Sequence, residues 1–450
     1  MQRVSAPEKH SHHAKKRGRP ADWYRWPLIG LLAVVAGVFS YTFTPAPGTA
    51  PVADRLAHGV FAAPALPSLL GQGIMGTTYD PLPDPVSSAT AKVPPTRHKP
   101  GPTHSPGKTT PPRTGSLFVD AAGLGLYDGQ SSPSGIETAA SWLGSSNSIK
   151  YAQDFIDATD FSHISNPWQL SNWQGSPFTM IWGVPMLPCG APATQCSTNV
   201  SDYDAVANGG DNSYFKTLAQ NLISAGFGSS YIRLGWEMNA DWMGWGICDA
   251  NGDGLSSWAS DFVPAFRNIV TSMRSVSGAN FKFIWNPIDS SNSSCSGARM
   301  ENFYPGDSYV DNVSLDVYDG IGGDTSDAAR WTDMLNGVNT GGWTAEKPDS
   351  INGQSFQGYG LNWLEAFGKA HNKQVGLPEW GLQTLGDNGG GGDDTYFMNQ
   401  MTSWIKAYAT GPAIFWNYGD GTLPLDIPNY TSGSTPDASA AFKAAFATGV

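Results

Sequence analysis

The sequence predicts an eight-stranded α/β barrel, a (β/α)8 TIM barrel, over residues 116–450. From Ser116 onward, short apolar segments with strand character alternate with longer segments of helical periodicity. Eight such strands occur in about 335 residues, which is the number and the length that this barrel requires. No glycine-rich phosphate-binding loop follows the first strand, and this disfavours the alternative of an open, doubly wound sheet.

The predicted elements follow one another as a barrel requires. The eight strands cover residues 117–119, 150–155, 178–182, 232–237, 281–286, 313–318, 375–379 and 413–416. Five helices are predicted from apolar residues at helical spacing, and they cover 136–143, 215–225, 260–273, 361–371 and 397–408.

Two segments of unusual composition stand at the start of the chain. Residues 1–25 carry seven Lys or Arg against two acidic residues. Residues 26–44 form an apolar run of about 19 residues, which is long enough to span a bilayer. A basic segment beside an apolar run sets the membrane orientation, with the basic end inside. We therefore expect a cytoplasmic tail and an uncleaved transmembrane signal-anchor, with a cleavable signal peptide as the alternative.

A third segment, residues 45–115, holds 15 of the 33 prolines, mixed with Ala, Thr, Ser and Gly. This composition is typical of an extended, disordered linker. We expect a stalk that holds the barrel away from the membrane. The protein would then be a single-pass protein of the cell membrane with its barrel outside, or a secreted protein if the apolar run is cleaved.

The charge of the chain argues against nucleic acid as a partner. The net charge is −12, and because residues 1–25 contribute +5, the remainder carries −17. The basic residues 15–20 resemble a minor-groove DNA hook, but we interpret them as part of the membrane-orienting tail. Aromatic residues make up 12 % of the chain and charged residues only 14 %. Such a composition favours sugar rings, whose C–H faces stack on indoles.

The four cysteines, Cys189, Cys196, Cys248 and Cys295, favour disulfides over a metal site. An even number of cysteines in an exported protein is typical of a disulfide framework. No closely spaced cysteine pair or histidine cluster suggests zinc. Among the three possible pairings we favour Cys189–Cys196 and Cys248–Cys295.

Two glutamates end apolar strands. Glu237 ends the fourth predicted strand and Glu379 the seventh, and the carboxyl ends of barrel strands meet at one face. Two facing carboxyl groups are the minimum for cleavage of a glycosidic bond, since one must donate a proton and the other must attack the sugar. The alternative is a pair of structural carboxylates, each bonded to Arg233 or to a helix amino end.

Residues 233–245 resemble the acid/base segment of glycoside hydrolase family 26, the retaining β-mannanase family. Residues 304–318 resemble its sixth-strand motif, and residues 377–381 its nucleophile segment. Residues 208–211 are also similar, and the four segments stand in the family's order. The sequence Glu237-Met238-Asn239 favours this family over related barrels, most of which place Asn directly before the acid/base Glu.

This resemblance implies a role for each residue of the site. Glu237 would be the acid/base and Glu379 the nucleophile of a double-displacement mechanism. Tyr318 would hydrogen-bond to Glu379, and Asp316 would support it. Arg233 is expected to point towards Asp316 or Glu379, because a cation beside the acid would lower its pKa. Trp242 and Trp416 would form sugar-stacking walls near the cleavage point. Further substrate-binding candidates are Asn239 and Trp245, and the weaker ones, for which a place in the core is the alternative, are Trp285, Trp182 and Asn286.

One departure from the family concerns the substrate. Mannanases of the family usually have His directly before the acid/base Glu, whereas this chain has Trp236. We predict an extracellular retaining endo-β-glycanase with β-mannan as the first choice and with β-glucan, β-1,3-xylan or a cell-surface polysaccharide as alternatives. A non-catalytic carbohydrate-binding surface protein is the alternative outside the enzymes.

The remaining expectations concern metals, cofactors and partners. We expect no catalytic metal and no cofactor, since retaining hydrolysis requires neither. Residues 249–254 resemble part of a calcium loop but lack its closing glutamate. The expected partners are the polysaccharide and, through residues 26–44, a membrane. We expect a monomer.

Overall fold

The computed structural model of the chain describes ten segments: residues 123–144, 148–189, 198–249, 254–290, 298–320, 326–338, 347–384, 389–419, 422–428 and 434–447. The expected tail, anchor and stalk lie outside these residues. None of the helices in the described segments is both long and apolar enough to span a bilayer.

Eight parallel strands close into a barrel, as the sequence predicts. They are β1 (Gly123–Tyr127), β2 (Tyr151–Phe155), β3 (Thr179–Val184), β4 (Tyr231–Leu234), β5 (Lys282–Trp285), β6 (Asn312–Asp319), β7 (Gln374–Gln383) and β8 (Pro412–Trp416). Each strand pairs with the next, and β8 pairs back with β1. A short strand, β9 (Thr422–Leu423), pairs antiparallel with β7 outside the closed ring.

Helices connect most of these strands. They are α1 (Pro133–Leu143), α2 (Phe161–Ser165), α3 (Leu170–Trp173), α4 (Val200–Ala207), α5 (Asn212–Ser224), α6 (Phe262–Arg274), α7 (Asp327–Asn336), α8 (Leu361–Ala370), α9 (Thr395–Tyr408) and α10 (Pro436–Phe446). All five predicted helices are confirmed as α1, α5, α6, α8 and α9. Helices α2, α3, α4, α7 and α10 were not predicted.

The first strand differs from the prediction. The predicted segment, residues 117–119, lies outside the described residues, and the strand that pairs with β2 and β8 is Gly123–Tyr127. Glycine weakens a strand signal in the sequence. Here it is required by close packing, because a Cβ on Gly125 would lie 2.2 Å from Cδ1 of Ile414.

The barrel is filled by side chains that meet from strands on opposite sides. The Tyr231 ring of β4 packs edge-on against Tyr151 of β2 at 5.8 Å, and its hydroxyl donates to Oε1 of Gln374 at 2.9 Å. Gln374 begins β7, so these residues close the amino-terminal end of the barrel. The chemistry is therefore left to the carboxyl-terminal end.

The described cysteines agree with the expected oxidised state. Cys189 and Cys248 are disulfide-bonded, and no free cysteine occurs among the described residues. Cys196 and Cys295 lie outside those residues. The pairings Cys189–Cys196 and Cys248–Cys295 therefore stay predictions.

Candidate active site

Three buried carboxyl groups meet at the carboxyl-terminal end of the barrel. Glu237, Asp316 and Glu379, called here the carboxylate cluster, each have an oxygen within 4.8 Å of an oxygen of the other two. All three side chains are buried. Asp316 of β6 lies directly beside Glu379 of β7 in the strand register. The fold thus brings together residues that are up to 142 positions apart in the sequence.

Glu237 reaches the cluster through a turn rather than from a strand. The prediction that the fourth strand runs to Glu237 was wrong, because β4 ends at Leu234. Gly235 and Glu237 have φ angles of 55° and 49°, which break the extended chain. A Cβ on Gly235 would lie 2.2 Å from Sδ of Met186. A glutamate with a left-handed backbone conformation is strained by about 1–3 kcal/mol, and such strain is concentrated at functional sites.

Hydrogen bonds hold Glu237 in this conformation. Its backbone N–H donates to the carbonyl of Asn286 at 2.8 Å. Its Oε2 accepts from Nε1 of Trp242 at 3.1 Å, while its Oε1 has no hydrogen-bond donor among the described residues. The Glu237 side chain is therefore fixed at one oxygen, while the other oxygen is buried without a donor among the described residues.

Glu379 is oriented by two donors. The hydroxyl of Tyr318 donates to its Oε2 at 2.7 Å, and Nη1 of Arg233 bonds to its Oε1. The prediction that Glu379 ends its strand was wrong, since β7 continues to Gln383. The register of β7 against β8 shifts between Leu377 and Trp380, so the strand is irregular at Glu379. Such irregularities re-aim side chains next to active sites.

Arg233 ties the cluster together from within the barrel. Its Nη1 bonds Glu379, its Nη2 bonds Asp316, and its Nε donates to Oδ1 of Asn286 at 2.5 Å. This confirms the direction expected for Arg233. Burial would lower the pKa of Arg233, but the charges of Asp316 and Glu379 outweigh it and raise that pKa. The guanidinium is therefore a permanent charge.

The cluster holds more carboxyl groups than cations, and the pKa values reflect this. Burial and the charge of Glu379 raise the pKa of Glu237 to about 7, although Arg233 and the Trp242 N–H oppose the shift. Burial, opposed by Arg233, also raises the pKa of Asp316. Burial and the charge of Glu379 raise the pKa of Tyr318, which keeps its hydroxyl a donor. Glu237 is thus a carboxyl group that holds its proton up to neutral pH.

Aromatic rings line the barrel beside the cluster. Trp242 is half-buried and bonded to Glu237. Trp416, the last residue of β8, stacks on Tyr127 with ring centroids 4.1 Å apart. Phe155 packs edge-on against Trp416 at 5.9 Å and against Trp236 at 5.0 Å. Tyr127 and Phe155 were not singled out in the sequence. Phe155 could have been found from its position at the end of the predicted second strand, whereas Tyr127 could not, because the first strand was predicted at residues 117–119.

Several predicted sugar-binding residues lie elsewhere. Trp285 packs against Trp363 and Phe367 of α8, on the outer side of the barrel, and is 1 % exposed. Trp245 is fully buried behind Trp236, and its Nε1 donates to the Trp236 carbonyl at 2.7 Å. These two residues belong to the core, since a tryptophan signal in the sequence does not separate core from cleft.

Three further candidates have structural contacts. Asn239 accepts from the Ile288 N–H at 2.8 Å and donates to its carbonyl at 2.9 Å, which joins the loops after β4 and β5. Trp182 is buried against Phe227 at 5.3 Å. Asn286 bonds both Arg233 and Asp316, so it positions the cluster.

The carboxylate cluster is the group of described residues with the spacing to hold a metal ion. The donor set does not favour one, because Arg233 already bonds two of the three carboxyl groups. We therefore assign no metal to it. The calcium-loop resemblance at residues 249–254 falls largely outside the described residues, as 250–253 are not among them.

Comparison with known families gives one match that covers more than half of the chain. Residues 118–354 match the model described as glycosyl hydrolase family 26. The matched range contains Glu237, Asp316 and Tyr318 but ends before Glu379. The place of Glu379 in the site therefore rests on its geometry.

Individual proteins are similar to this chain at a lower level. The Bacillus subtilis mannanase BCman is 17 % identical over 70 % of this chain and 84 % of its own, with a TM-score of 0.45. A modular endo-β-1,4-mannanase from Cellulomonas fimi is 16 % identical over 74 % of this chain and 73 % of its own, with a TM-score of 0.48. Endoglucanase H of Acetivibrio thermocellus is 32 % identical over 116 residues, or 25 % of this chain. The chain spans only 12 % of that relative's length.

Proposed function

Because the chain belongs to glycosyl hydrolase family 26 and is therefore a glycoside hydrolase, we propose that it is an extracellular retaining endo-β-glycanase with β-mannan as its first-choice substrate. The observation that carries this proposal is the pair of facing carboxyl groups, Glu237 and Glu379, at the mouth of the barrel. A non-catalytic carbohydrate-binding protein has no need of a protonated and an oriented carboxyl group side by side.

The proposed mechanism is a double displacement. Glu379 attacks the anomeric carbon while Glu237 donates its proton to the departing glycosidic oxygen, and a covalent glycosyl-enzyme forms. Glu237 then removes a proton from water, which attacks the same carbon and releases Glu379. The oxygen separation of at most 4.8 Å supports this mechanism. Retaining enzymes have carboxyl groups about 5–5.5 Å apart, whereas inverting enzymes need about 6.5–9.5 Å.

The neighbours of the two glutamates have positioning roles in this mechanism. Arg233 and Tyr318 aim the two oxygens of Glu379. Trp242 holds one oxygen of Glu237 and leaves the other for the leaving group. Trp242, which bonds Glu237, and Trp416, which ends β8 at the same end of the barrel, would bind sugar rings near the cleavage point through their indole faces.

β-Glucan is the second candidate substrate. Trp236 stands where mannanases of the family usually carry a histidine, and its indole packs against Phe155 and over the Arg233 guanidinium at 5.6 Å. An indole does not offer the acceptor nitrogen of an imidazole, so recognition of the sugar must differ there. The name of the curated relative, endoglucanase H, favours a glucan in addition.

A substrate panel tests the proposed function. The full chain is incubated with galactomannan, glucomannan, mixed-linkage glucan, β-1,3-xylan and β-1,4-xylan, with the Glu379→Ala chain as the blank. We expect oligosaccharides to be released from galactomannan first, with the anomeric configuration retained in the initial product by NMR. Release from mixed-linkage glucan alone would favour the second candidate. Inversion would contradict the double displacement.

The Glu237→Gln chain should lose the alkaline limb of its pH profile. Glu237 must be protonated to donate, so kcat/KM of the wild type should fall as the pH rises through about 7. Glutamine does not titrate, and the limb should vanish along with most activity on polysaccharide. Activity on an aryl glycoside with a nitrophenol leaving group, which departs without a proton, should fall far less. An unchanged limb in the variant would contradict the assignment.

The cell-membrane location, the stalk and the monomeric state remain proposals from the sequence. The apolar residues 26–44 and the proline-rich residues 45–115 support a single-pass anchor with the barrel outside. Protease treatment of intact cells tests the location. The protease should release the barrel into solution and leave the anchor in the membrane fraction. Protection of the barrel from the protease would contradict this orientation.

A further inference from the structure

An exposed aromatic ring stands at the mouth of the barrel. Tyr418 lies two residues beyond the end of β8 and is 37 % exposed. The carboxyl ends of the strands, where it lies, also carry the carboxylate cluster. A large ring in this place is available to a substrate that extends out of the cleft.

Tyr418 is the outer member of a continuous row of rings, the aromatic row of Phe155, Tyr127, Trp416 and Tyr418. Phe155 lies over the Arg233 guanidinium at 5.7 Å and packs edge-on against Tyr127 at 5.4 Å. Tyr127 stacks on Trp416, and Tyr418 packs edge-on against Tyr127 at 5.9 Å. The row therefore leads from the cation that holds Glu379 to the exposed surface.

The backbone that carries Tyr418 is fixed on both sides. The Asn417 N–H donates to the carbonyl of Tyr127 at 2.8 Å, and the Asn417 amide donates to Oδ1 of Asp128 at 2.7 Å. The carbonyl of Tyr418 accepts from the hydroxyl of Thr422. These contacts reduce the conformational freedom that a ligand would have to remove.

The ring itself rests on bare backbone. A Cβ on Gly129 would lie 3.0 Å from Cε2 of Tyr418, so glycine at this position lets the ring approach the loop after β1 closely. Gly129 has a φ of 85°, which also favours glycine. Two independent features of the chain thus hold an exposed ring in one place.

We propose that Tyr418 forms an outer sugar subsite, which stacks on a pyranose unit of the β-linked glycan beyond the units that Trp242 and Trp416 contact. This inference rests on the proposed function and deepens it. A pyranose presents a face of C–H bonds, and an exposed tyrosine ring offers the matching flat apolar surface with a polar tip. Tyr418 would therefore contact only those substrates that are long enough to reach it.

The length of the oligosaccharide substrate is therefore the variable that tests the role of Tyr418. The full chain, Tyr418→Ala and Tyr418→Phe are assayed on manno- and cello-oligosaccharides from the trisaccharide to the hexasaccharide. Tyr408→Ala is the matched control, because Tyr408 is a 48 % exposed tyrosine at the end of α9. For the longest substrates we expect Tyr418→Ala to lower kcat/KM about 3- to 10-fold, through a higher KM. For the shortest hydrolysed substrate it should leave kcat/KM unchanged.

The variants separate stacking from a structural role. Tyr418→Phe keeps the ring and should behave like the wild type, as should Tyr408→Ala. An equal loss at every substrate length would overturn the subsite and point to a general disturbance of the cleft. No loss at any length would also overturn it.

A binding measurement keeps this test separate from the proposed function. Titration calorimetry with the hexasaccharides is run on the wild type and on Tyr418→Ala. If the wild type hydrolyses none of the substrates, the proposed enzymatic function fails, but weaker binding by Tyr418→Ala would still support the subsite. Equal binding by the two chains, or no binding by the wild type, would overturn it.

Discussion

Replacement of Glu379 by alanine is expected to lower kcat by about 10⁴- to 10⁶-fold on any glycan that the wild type hydrolyses. The variant has no group to attack the anomeric carbon, and no other described carboxyl group lies on that strand. The Tyr318 hydroxyl and Nη1 of Arg233 then lose the acceptor oxygens of Glu379. Rates are measured from reducing ends released, and circular dichroism verifies that the variant is folded.

Two variants control this prediction. Glu379→Gln keeps the shape of the side chain and an acceptor oxygen for Tyr318, so it should stay folded while it loses the same activity. Glu137→Ala removes an exposed glutamate of α1 and should leave kcat unchanged. A Glu379→Ala chain with wild-type kcat would contradict the nucleophile assignment.

Azide separates a nucleophile from a residue that merely supports the fold. The alanine variant leaves a cavity on the face of the sugar from which Glu379 attacks, and a small anion in that cavity can displace the leaving group once. An activated aryl β-glycoside with azide should therefore give an α-glycosyl azide. A β-configured azide, or no acceleration by azide, would count against the proposed geometry.

The barrel could be predicted because its signals are local. Seven of the eight strands were found near their true positions, since each is a short apolar segment between polar loops. The first strand was missed because Gly123 and Gly125 weaken the apolar pattern from which a strand is predicted. The glycines satisfy a packing demand from Tyr151 and Ile414, which lie 26 and 289 residues further along the chain. Only the fold brings those partners together.

The site could be predicted only in part. Arg233 was expected to point towards Asp316 or Glu379, because a cation beside the acid would lower the pKa of the acid, and Arg233 bonds both residues. The turn at Gly235 was not predicted, because it depends on the contact with Met186. Trp242 and Trp285 look alike in sequence, yet one borders the cleft and the other packs under α8.

A buried cation amid three carboxyl groups makes Arg233 the residue on which the site's stability depends. Replacement of Arg233 by methionine should lower the free energy of unfolding by about 3–5 kcal/mol, because the partners of a broken buried ion pair are left without compensation. Arg233→Lys should lower the free energy of unfolding by less, since lysine keeps the charge but cannot donate to two carboxyl groups with the fixed geometry of a guanidinium. Arg274→Met removes a half-exposed bridge to Asp311 and should change stability by less than about 1 kcal/mol. Denaturant unfolding measures all three.

The pH dependence of this loss distinguishes charge from packing. Without the guanidinium, the pKa values of Glu237 and Asp316 in the folded chain should rise further above 4.5 and 3.8, their ordinary values. The folded state then binds more protons than the unfolded state, so its stability decreases as the pH rises from about 4 through 7 and beyond. The gap between wild type and Arg233→Met should therefore be smaller at pH about 5 than at pH about 8. A gap that stays constant would mean that Arg233 stabilises the barrel by packing alone, and a gap that widens towards acid pH would contradict the electrostatic account.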